Sequence, residues 1–274
     1  MKTEAIDLRT DADLAACLRV RRPVAALAFD YAAGERIPAH QHTKAQLIYA
    51  VEGSLIVTTA EGHWALLPTR AIWVPAHTRH ITRMRGPAGT KVRMRTVFFD
   101  DSVRPPASTC AVVRVSPLLR ELIVALCDIQ RQEPRLYRPQ SRAALIAPLL
   151  IAELRLWQVL PLHLPWPREP RLRRICHALQ QSPSLHGSMD HWAAGESISS
   201  RTLARLFRAE LGMSFDDWRS QLLLLEAQIR LAQGQSSQRV ARALGYASPA
   251  AFSAMFRRAT GHSPVEHKKS LHRV

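Results

Sequence analysis

Two stretches decide the fold: 199-SSRTLARLFRAELGMS-214 and 248-SPAAFSAMFRRATGHS-263. They match each other at an offset of 49 residues, pairing Ser199 with Ser248, Phe207 with Phe256, Arg208 with Arg257, Gly212 with Gly261 and Ser214 with Ser263. Each reads as an amphipathic helix that starts at a Ser and stops near a Gly, the residues that favour helix beginnings and ends. In the first copy Leu203, Leu206 and Phe207 share one face, and Arg201, Arg205 and Arg208 share the other. In the second copy Phe252, Met255 and Phe256 form the inner face, and Ala250, Ser253 and Arg257 the outer. Each copy follows a short helical run with small residues (Ala193 and Ala194; Ala241 and Ala243) and a tight turn. Gly245 supplies the turn glycine of the second copy, and Ser197 stands in that place in the first. The pattern is a helix-turn-helix made twice, with its second helix exposed. A connector helix is predicted from about Phe215 to Gln233, carrying Trp218, Leu222, Leu225, Ile229 and Leu231. A rigid connector sets the distance between two reading helices, which is ~34 Å for successive major-groove segments on one face of DNA.

Charge points the same way. The 274 residues hold 38 Lys plus Arg against 22 Asp plus Glu, a formal net charge of +16, and only five of the basic residues are Lys. Such a surplus implies a polyanionic partner, nucleic acid before an anionic membrane. Residues 166–274 carry +8 of it and residues 1–165 the other +8. A hydrophobic fraction of 47% supplies packed cores and excludes disorder for most of the chain. The length suits two domains. Cys17, Cys110, Cys127 and Cys176 lie far apart with no CxxC spacing, so a disulfide scaffold is not expected. The start, MKTEAIDLRTDAD, lacks an apolar run, and the longest apolar stretch, 143-AALIAPLLIA-152, is about half of a membrane span. The expectation is a cytoplasmic chain with no membrane partner.

Upstream of the repeat, 161-PLHLPWPREP-170 has four prolines in ten residues and is the linker candidate. Before it, Ser116-Pro117 reads as an N-cap and first helical residue. A second helix is predicted from about Gln140 to Leu160, with one stripe of Leu145, Leu149, Ala152, Leu156 and Val159 and another of Ile146, Leu150, Leu154 and Trp157. Two apolar stripes need two partners, so one is expected to face another subunit. Pro148 predicts a kink or a helix start. Residues 24–99 read as β-structure, with short runs such as 46-QLIYAV-51, 55-LIVTT-59, 71-AIWV-74 and 91-KVRMRTVFF-99 set off by Gly and Pro, and 103-VRPPAS-108 as the break after them. Short strands at that spacing predict a small barrel or sandwich.

Two clusters in the β-region carry chemistry. The stretch 34-GERIPAHQHTKAQLIYAVEG-53 holds His40, His42 and Gln46, and Pro75-x-His77-x-x-His80 follows. Three imidazoles suit zinc, iron, nickel or copper. Three readings stand here: a three-His metal site, a polar effector pocket, or histidines bonded to neighbouring backbone. Separately, Arg79, Arg83, Arg85, Lys91, Arg93 and Arg95 fall within 17 residues, with 83/85 and 93/95 each sharing a strand face. If those strands pair, the two rows repel. The cluster reads as a solvated face, or as a surface for an anionic effector or the DNA backbone. No Ser-His-Asp, phosphate-loop or paired-carboxylate motif is detectable.

Residues 171–269 resemble the DNA-binding domain of the AraC/XylS family of bacterial transcription regulators, on 202-TLARLF-207, Gly212, Ser214 and 241-ARALGYASPAAFSAMFRRATGHSP-264. The chain departs from that pattern at His267, where an aromatic is usual, and at Leu223, where an Arg is usual. The stretch 34–53 resembles the first cupin motif, with Gln46 in place of Glu, and 75–80 the second, with His77 in place of Gly. The resemblance implies an α+β two-domain chain. Residues 1–105 would be a cupin-like, effector-sensing β-barrel, 106–165 dimerisation helices and linker, and 166–274 an all-α domain with two helix-turn-helix motifs. It implies a sequence-specific transcription regulator, not an enzyme, that binds double-stranded promoter DNA as a homodimer and is switched by a small-molecule effector. RNA polymerase is a further expected partner. DNA contact is expected from Ser199, Ser200, Arg201, Thr202, Arg205 and Arg208, and from Ser248, Pro249, Ala250, Ser253 and Arg257. The effector pocket is expected at His40, His42, Gln46 and His80. In metal-binding cupins the equivalents of these residues hold one divalent transition metal, which makes His40, His42 and His80 the metal candidates. The alternative is a metal-dependent cupin enzyme, a dioxygenase or isomerase, fused to a DNA-binding domain. The absent carboxylate at position 46 and the two helix-turn-helix motifs weigh against it.

Overall fold

The computed structural model describes residues 12–20, 22–103, 107–132, 140–157, 159–160 and 163–271. The chain divides into two compact units: one runs to His163 and lacks Glu61–His63, and the other comprises those three residues and the chain from Leu164. The break at 103–108 and the linker at 161–170 fall partly outside the described residues, and the segment 1–11 lies wholly outside them.

The first unit opens with helix α1 (Ala12–Arg19) and continues through β1 (Val24–Ala32), β2 (Arg36–His40), β3 (Ala45–Glu52), β4 (Ser54–Thr58), β5 (Gly62–Leu66), β6 (Arg70–Val74), β7 (His80–Arg85), β8 (Lys91–Phe99) and β9 (Ala111–Arg114). Helices α2 (Pro117–Gln132) and α3 (Arg142–Arg155) and a short strand β10 (Val159–Leu160) complete it. One sheet has the order β1-β8-β3-β6-β9-β10, and the other contains β5-β4-β7-β2. Ile37, Ile48, Leu55, Val57, Trp64, Ile72 and Met84 fill the space between the sheets. The opposite face of the first sheet, with Leu47, Tyr49, Trp73 and Val97, packs on Leu119, Ile123 and Leu126 of α2 and Leu150 and Leu154 of α3. β3 and β6 are therefore buried on both faces, which is why they read as unbroken apolar runs. β7 is covered on one face only, and it alternates: His80, Thr82 and Met84 are buried, while Ile81, Arg83 and Arg85 are half-buried.

Three sequence expectations change here. The helix predicted over 140–160 ends at Arg155, because Val159 and Leu160 pair with Val113 and Val112 at the edge of β9. Main-chain pairing on that edge outweighs the helical periodicity of two residues. Pro148 marks neither a start nor an end, since α3 begins at its Ser141 cap and runs through it. The two arginine rows do not lie side by side: β7 sits between β4 and β2, and β8 between β1 and β3. The two stripes of α3 do separate as two stripes need to. Leu150 and Leu154 are buried, while Leu145 and Leu149 are exposed; Leu156 at the cap and Val159 on β10 are exposed as well.

The second unit is helical: α4 (Pro170–Gln181), α5 (Met189–Gly195), α6 (Ser200–Leu211), α7 (Phe215–Ala232), α8 (Ser237–Ala243), α9 (Pro249–Thr260) and α10 (Pro264–Leu271). Ser188, Ser199, Ser214, Ser236 and Ser248 cap five of these by accepting a main-chain N–H one turn into the helix. Gly212 and Gly261 end α6 and α9 in left-handed conformation, at φ 68° and 79°. The cores are two. Phe207, Phe215, Trp218 and Leu222 belong to one cluster, and Leu223, Ala227, Leu231, Phe252 and Phe256 to the other. His267 is buried and packs edge-on against Phe256 at 5.3 Å, so it occupies the aromatic position that it replaces.

The turn of the second motif is one residue longer than that of the first, but both place the residue after the helix cap at positive φ. Gly245 has φ 78° and Ser197 has φ 55°. A side chain in that region costs ~1 kcal/mol because its Cβ crowds the carbonyl. Ser197→Gly should therefore raise the stability of the chain by ~0.5–1 kcal/mol, and Ser197→Val should lower it by at least as much. Urea midpoints at constant m-value measure both. A midpoint that drops for the Gly variant would show that this turn is not strained.

Candidate nucleic-acid interface and histidine site

On α6 the buried face is Leu203, Phe207 and Leu211, all 9% exposed or less. That burial forces the residues between them outward. Arg201, Arg205 and Arg208 are exposed, Thr202 is half-buried, and all four share one open face of α6 with Ala204 and Ala209. On α9 Phe252 and Phe256 are fully buried, which leaves Ala250 and Arg257 exposed and Ser253 half-buried. The two outer faces differ in character: α6 presents long cationic side chains along its length, and α9 presents small ones followed by the exposed Arg257 and Arg258 in its last turn. Several of the sequence candidates have structural duties. Ser199 Oγ accepts from the Thr202 N–H at 3.1 Å, and Ser248 Oγ accepts from the Ala251 N–H at 3.1 Å. The Ser200 hydroxyl bonds Asp190 of α5, which ties the two helices of the first motif. Pro249 is the first residue of α9, where its fixed φ suits helix entry. The side chains left facing solvent with hydrogen-bonding or apolar reach are those of Arg201, Arg205 and Arg208 on α6, and of Ala250, Ser253 and Arg257 on α9. Lys268 places its ammonium on the Gly234 carbonyl at 2.7 Å, beyond the end of α7.

The histidine cluster lies at one end of the first unit. His40 closes β2, His80 opens β7, Gln46 sits on β3, and His42 lies in the loop between β2 and β3. His77 has φ 61°, the conformation for which Gly is usual there, and its N–H bonds the His42 carbonyl at 2.8 Å, joining the two motif loops. Each imidazole is turned by a main-chain carbonyl. His40 Nδ1 faces Pro38 O at 2.9 Å, His42 Nδ1 faces Lys44 O at 2.8 Å, and His80 Nδ1 faces Thr78 O at 2.9 Å. A ring nitrogen facing a main-chain carbonyl carries the proton, which leaves Nε2 of His40 and of His80 as a lone pair, while His42 faces an acceptor on both sides, Lys44 O at Nδ1 and Gln46 Oε1 at Nε2. Burial lowers the pKa of all three rings; for His80, burial and then the neighbouring His40 bring it down to about 3. The three rings are thus neutral at pH 7.

The ligand atoms of His40, His42 and His80 all lie within 4.8 Å of one another. The buried His80 Nε2 has no hydrogen-bond partner. Gln46 Oε1 stands 2.9 Å from His42 Nε2, and its amide is oriented from behind, where Nε2 donates to Thr96 Oγ1 at 2.7 Å. The Nε2 lone pairs of His40 and His80 thus meet His42 Nε2 and the Gln46 amide oxygen, which are hydrogen-bonded to each other. That donor set fits a borderline divalent cation such as zinc, nickel or copper, with Nδ1–H contacts behind the rings as metal-binding histidines have. Gln46 is neutral, so the set brings no negative charge to a harder ion.

The cavity at this cluster is about 10 Å³ and is walled by Leu14 of α1 and by Phe29, Tyr31, Met94 and Phe98 as well as the polar residues. Room of that size takes one water or one ion. An organic ligand needs several hundred Å³. Sequence reasoning brought His40, His42, Gln46 and His80 together correctly but missed Leu14, Lys44 and Thr96. Lys44 is 7% exposed, and its ammonium bonds the Cys17 and Val20 carbonyls at the end of α1. Thr96 lies 50 residues beyond Gln46, and no local pattern links the two.

Comparison with known proteins follows the same division. Residues 192–270 match the family profile of a helix-turn-helix domain, and residues 28–97 that of a cupin domain. The chain is 34% identical over 250 residues to the HTH-type transcriptional regulator NimR of Escherichia coli K12, covering 89% of this chain and 88% of that one. It is 32% identical over 100 residues to the HTH-type transcriptional regulator RipA of Corynebacterium glutamicum, which is 36% of this chain and 30% of the relative. A crystal structure of an AraC-type transcriptional regulator from Chromobacterium violaceum aligns at 26% identity with a TM-score of 0.35, over 37% of this chain and 92% of that one. Among the described residues no helix is long and apolar enough to cross a membrane. Because the match to a helix-turn-helix regulator runs nearly the whole length of both chains, with each domain profile in its place, this chain belongs to the AraC-type transcription regulators with an N-terminal cupin domain.

Proposed function

We propose that α6 and α9 enter successive major-groove segments of double-stranded promoter DNA, with Arg201, Arg205 and Ser253 at base edges and Arg208 and Arg257 at phosphates. The observation that carries this is the exposed row Arg201, Arg205, Arg208 over a fully buried Leu203–Phe207 face. Arginine forks suit guanine edges, and the small Ala250 and Ser253 suit close approach and contact with thymine methyl groups. The caps at Ser199 and Ser248, with Ser200, Thr202 and Pro249, hold the two helix starts at the groove. A cytoplasmic chain that shares its compartment with the chromosome and acts beside RNA polymerase fits this role. Catalysis is not assigned to the barrel, since Gln46 brings no ionisable group to the histidines.

The first unit is read as the sensor, and an ion-sized occupant suits it best. His40, His42 and His80, with Gln46 Oε1, would hold one divalent transition metal, which when bound supplies positive charge and a link between the β2–β3 region and β7. A larger, organic effector would require Leu14 and α1 to withdraw from the cavity. In either case the occupant switches DNA binding only by favouring one arrangement of the two units over another. The exposed Leu145 and Leu149 on α3, with the exposed Leu156 at its cap and Val159 on β10, are read as a homodimer contact, being large apolar side chains facing solvent where α3 is already packed on its other face.

Three measurements test these readings. Arg201→Ala should relax preference at one base position by about 1–3 kcal/mol in a binding-site selection, and an equal loss on every sequence would reassign Arg201 to a phosphate. Zinc or nickel should raise the melting temperature of the metal-stripped protein and should fail to do so in His42→Ala/His80→Ala. A parent that neither retains metal on purification nor responds to it would remove the metal reading. Leu145→Glu/Leu149→Glu should sediment as a monomer at concentrations where the parent is a dimer, with unchanged helix content by circular dichroism.

A further inference from the structure

The basic surplus of the first unit has no place in the functions above. Part of it is neutralised inside the fold. On β8, Arg93 lies opposite Asp30 on one side and Glu52 on the other, and the buried Arg95 donates to Asp30 Oδ1 at 3.1 Å. The arginines of β7 meet different neighbours. Arg83 lies directly opposite Arg36 of β2 and, on its other side, opposite Ile56 of β4, while Arg85 lies opposite Ser54. Neither Arg36 nor Arg83 has an ion-pair partner among the described residues. Like charges directly opposed across a ladder destabilise the pair. Burial, and then the charges of Arg36 and Arg85, lower the pKa of the Arg83 guanidinium. The fold therefore holds an unfavourable concentration of positive charge on one strand face, which an anion would relieve.

The geometry selects the kind of anion. Thr82 and Met84 are buried and alternate with the arginines, so Arg83 and Arg85 share the outer face, as does Arg36, whose neighbour Ile37 is buried in the interior. Side chains two apart on a strand stand about 6.7 Å from each other, and the adjacent strand is about 4.8 Å away. The result is a row in which the opposed Arg36 and Arg83 guanidinium groups are each able to fork onto phosphate oxygens, with the charge of Arg85 beside them. A ligand that is itself a row of phosphates matches such a row. A single small anion would instead be taken into a concave recess. We propose that the outer face of β2 and β7, through Arg36 and Arg83 with the added field of Arg85, is a second and sequence-independent contact for the DNA phosphate backbone. This rests on the DNA-binding role of α6 and α9, which brings the duplex to high effective concentration at the same chain. Such contacts add affinity and salt dependence without reading bases.

The test is the salt dependence of DNA binding by the full chain, on a promoter duplex and on an unrelated duplex of equal length. For Arg36→Gln/Arg83→Gln the slope of log K against log salt should become less negative by about 1.8 on both duplexes, about 0.9 for each lost phosphate. Between 50 and 200 mM salt that is roughly a tenfold smaller loss of affinity. The ratio of promoter to unrelated affinity should stay the same. Arg36→Lys/Arg83→Lys should keep the parental slope. The Gln variant should melt no lower than the parent, because the substitution removes a like-charge pair. Slopes equal to the parent on both duplexes would overturn the proposal and leave the row to an acidic protein surface or to solvent. Arg201→Ala, measured in parallel, separates the two readings: if it fails to change promoter preference, the base-reading role of α6 falls, while the slope on the unrelated duplex still reports on the barrel face.

Discussion

One helix holds both reading heads. α7 gives Phe215, Trp218 and Leu222 to one hydrophobic cluster and Leu223, Ala227 and Leu231 to the other. Leu222 and Leu223 are neighbours in sequence, and a helix turns about 100° between them. The clusters therefore lie on different sides of one rod. Phe207 of α6 packs on Phe215 at 5.4 Å and on Trp218 at 6.1 Å, and Phe252 and Phe256 of α9 are buried in the second cluster. Neither reading helix can shift along α7 without exposing an aromatic ring. Even the Trp218 indole N–H is satisfied, by the Pro165 carbonyl at 2.9 Å. Leu223, where an Arg is usual in the family, is fully buried in that second cluster.

The histidine site depends on a different kind of constraint. Its rings are oriented by main-chain carbonyls two residues away, so loop geometry and not side-chain packing decides which nitrogen carries the proton. The same loop reaches α1. Lys44 accepts from His42 through its carbonyl and donates through its ammonium to the Cys17 and Val20 carbonyls, where a cation meets the negative end of a helix. Leu14, one turn earlier on α1, walls the cavity. The His42 ring and the wall that closes over the site are thus linked through a single lysine.

Much of this was legible in the residues themselves. The offset-49 repeat identified both helix-turn-helix motifs, and the Ser and Gly at their ends are the observed caps, because capping is a local interaction between a side chain and the next turn. Ser197 and Gly245 are 48 residues apart, one out of step with the repeat, and it is their shared place after the caps of α5 and α8, with positive φ in both, that equates them and explains why one of them is Gly. The β-region and the grouping of His40, His42, Gln46 and His80 were also readable, from strand-length runs and motif spacing. The end of α3 was not. Periodicity favoured continuing to Leu160, and only the open edge of β9 could draw Val159 and Leu160 into a ladder. The arginine rows were equally undecided, since strand order within a sheet is a long-range outcome.

Sequence alone therefore determined the elements, their faces, the two-domain plan and the family, because these follow from short-range propensity and from patterns within a few turns. Tertiary structure alone decided which charges are answered. Arg95 meets Asp30 because β1 pairs with β8, and Arg83 meets Arg36 because β2 pairs with β7. It also decided that the cavity beneath the histidines is ion-sized, since Leu14 and Phe98 close it from positions 84 residues apart. Electrostatic partners and cavity volume depend on which distant strands become neighbours, and no local pattern in the chain encodes that.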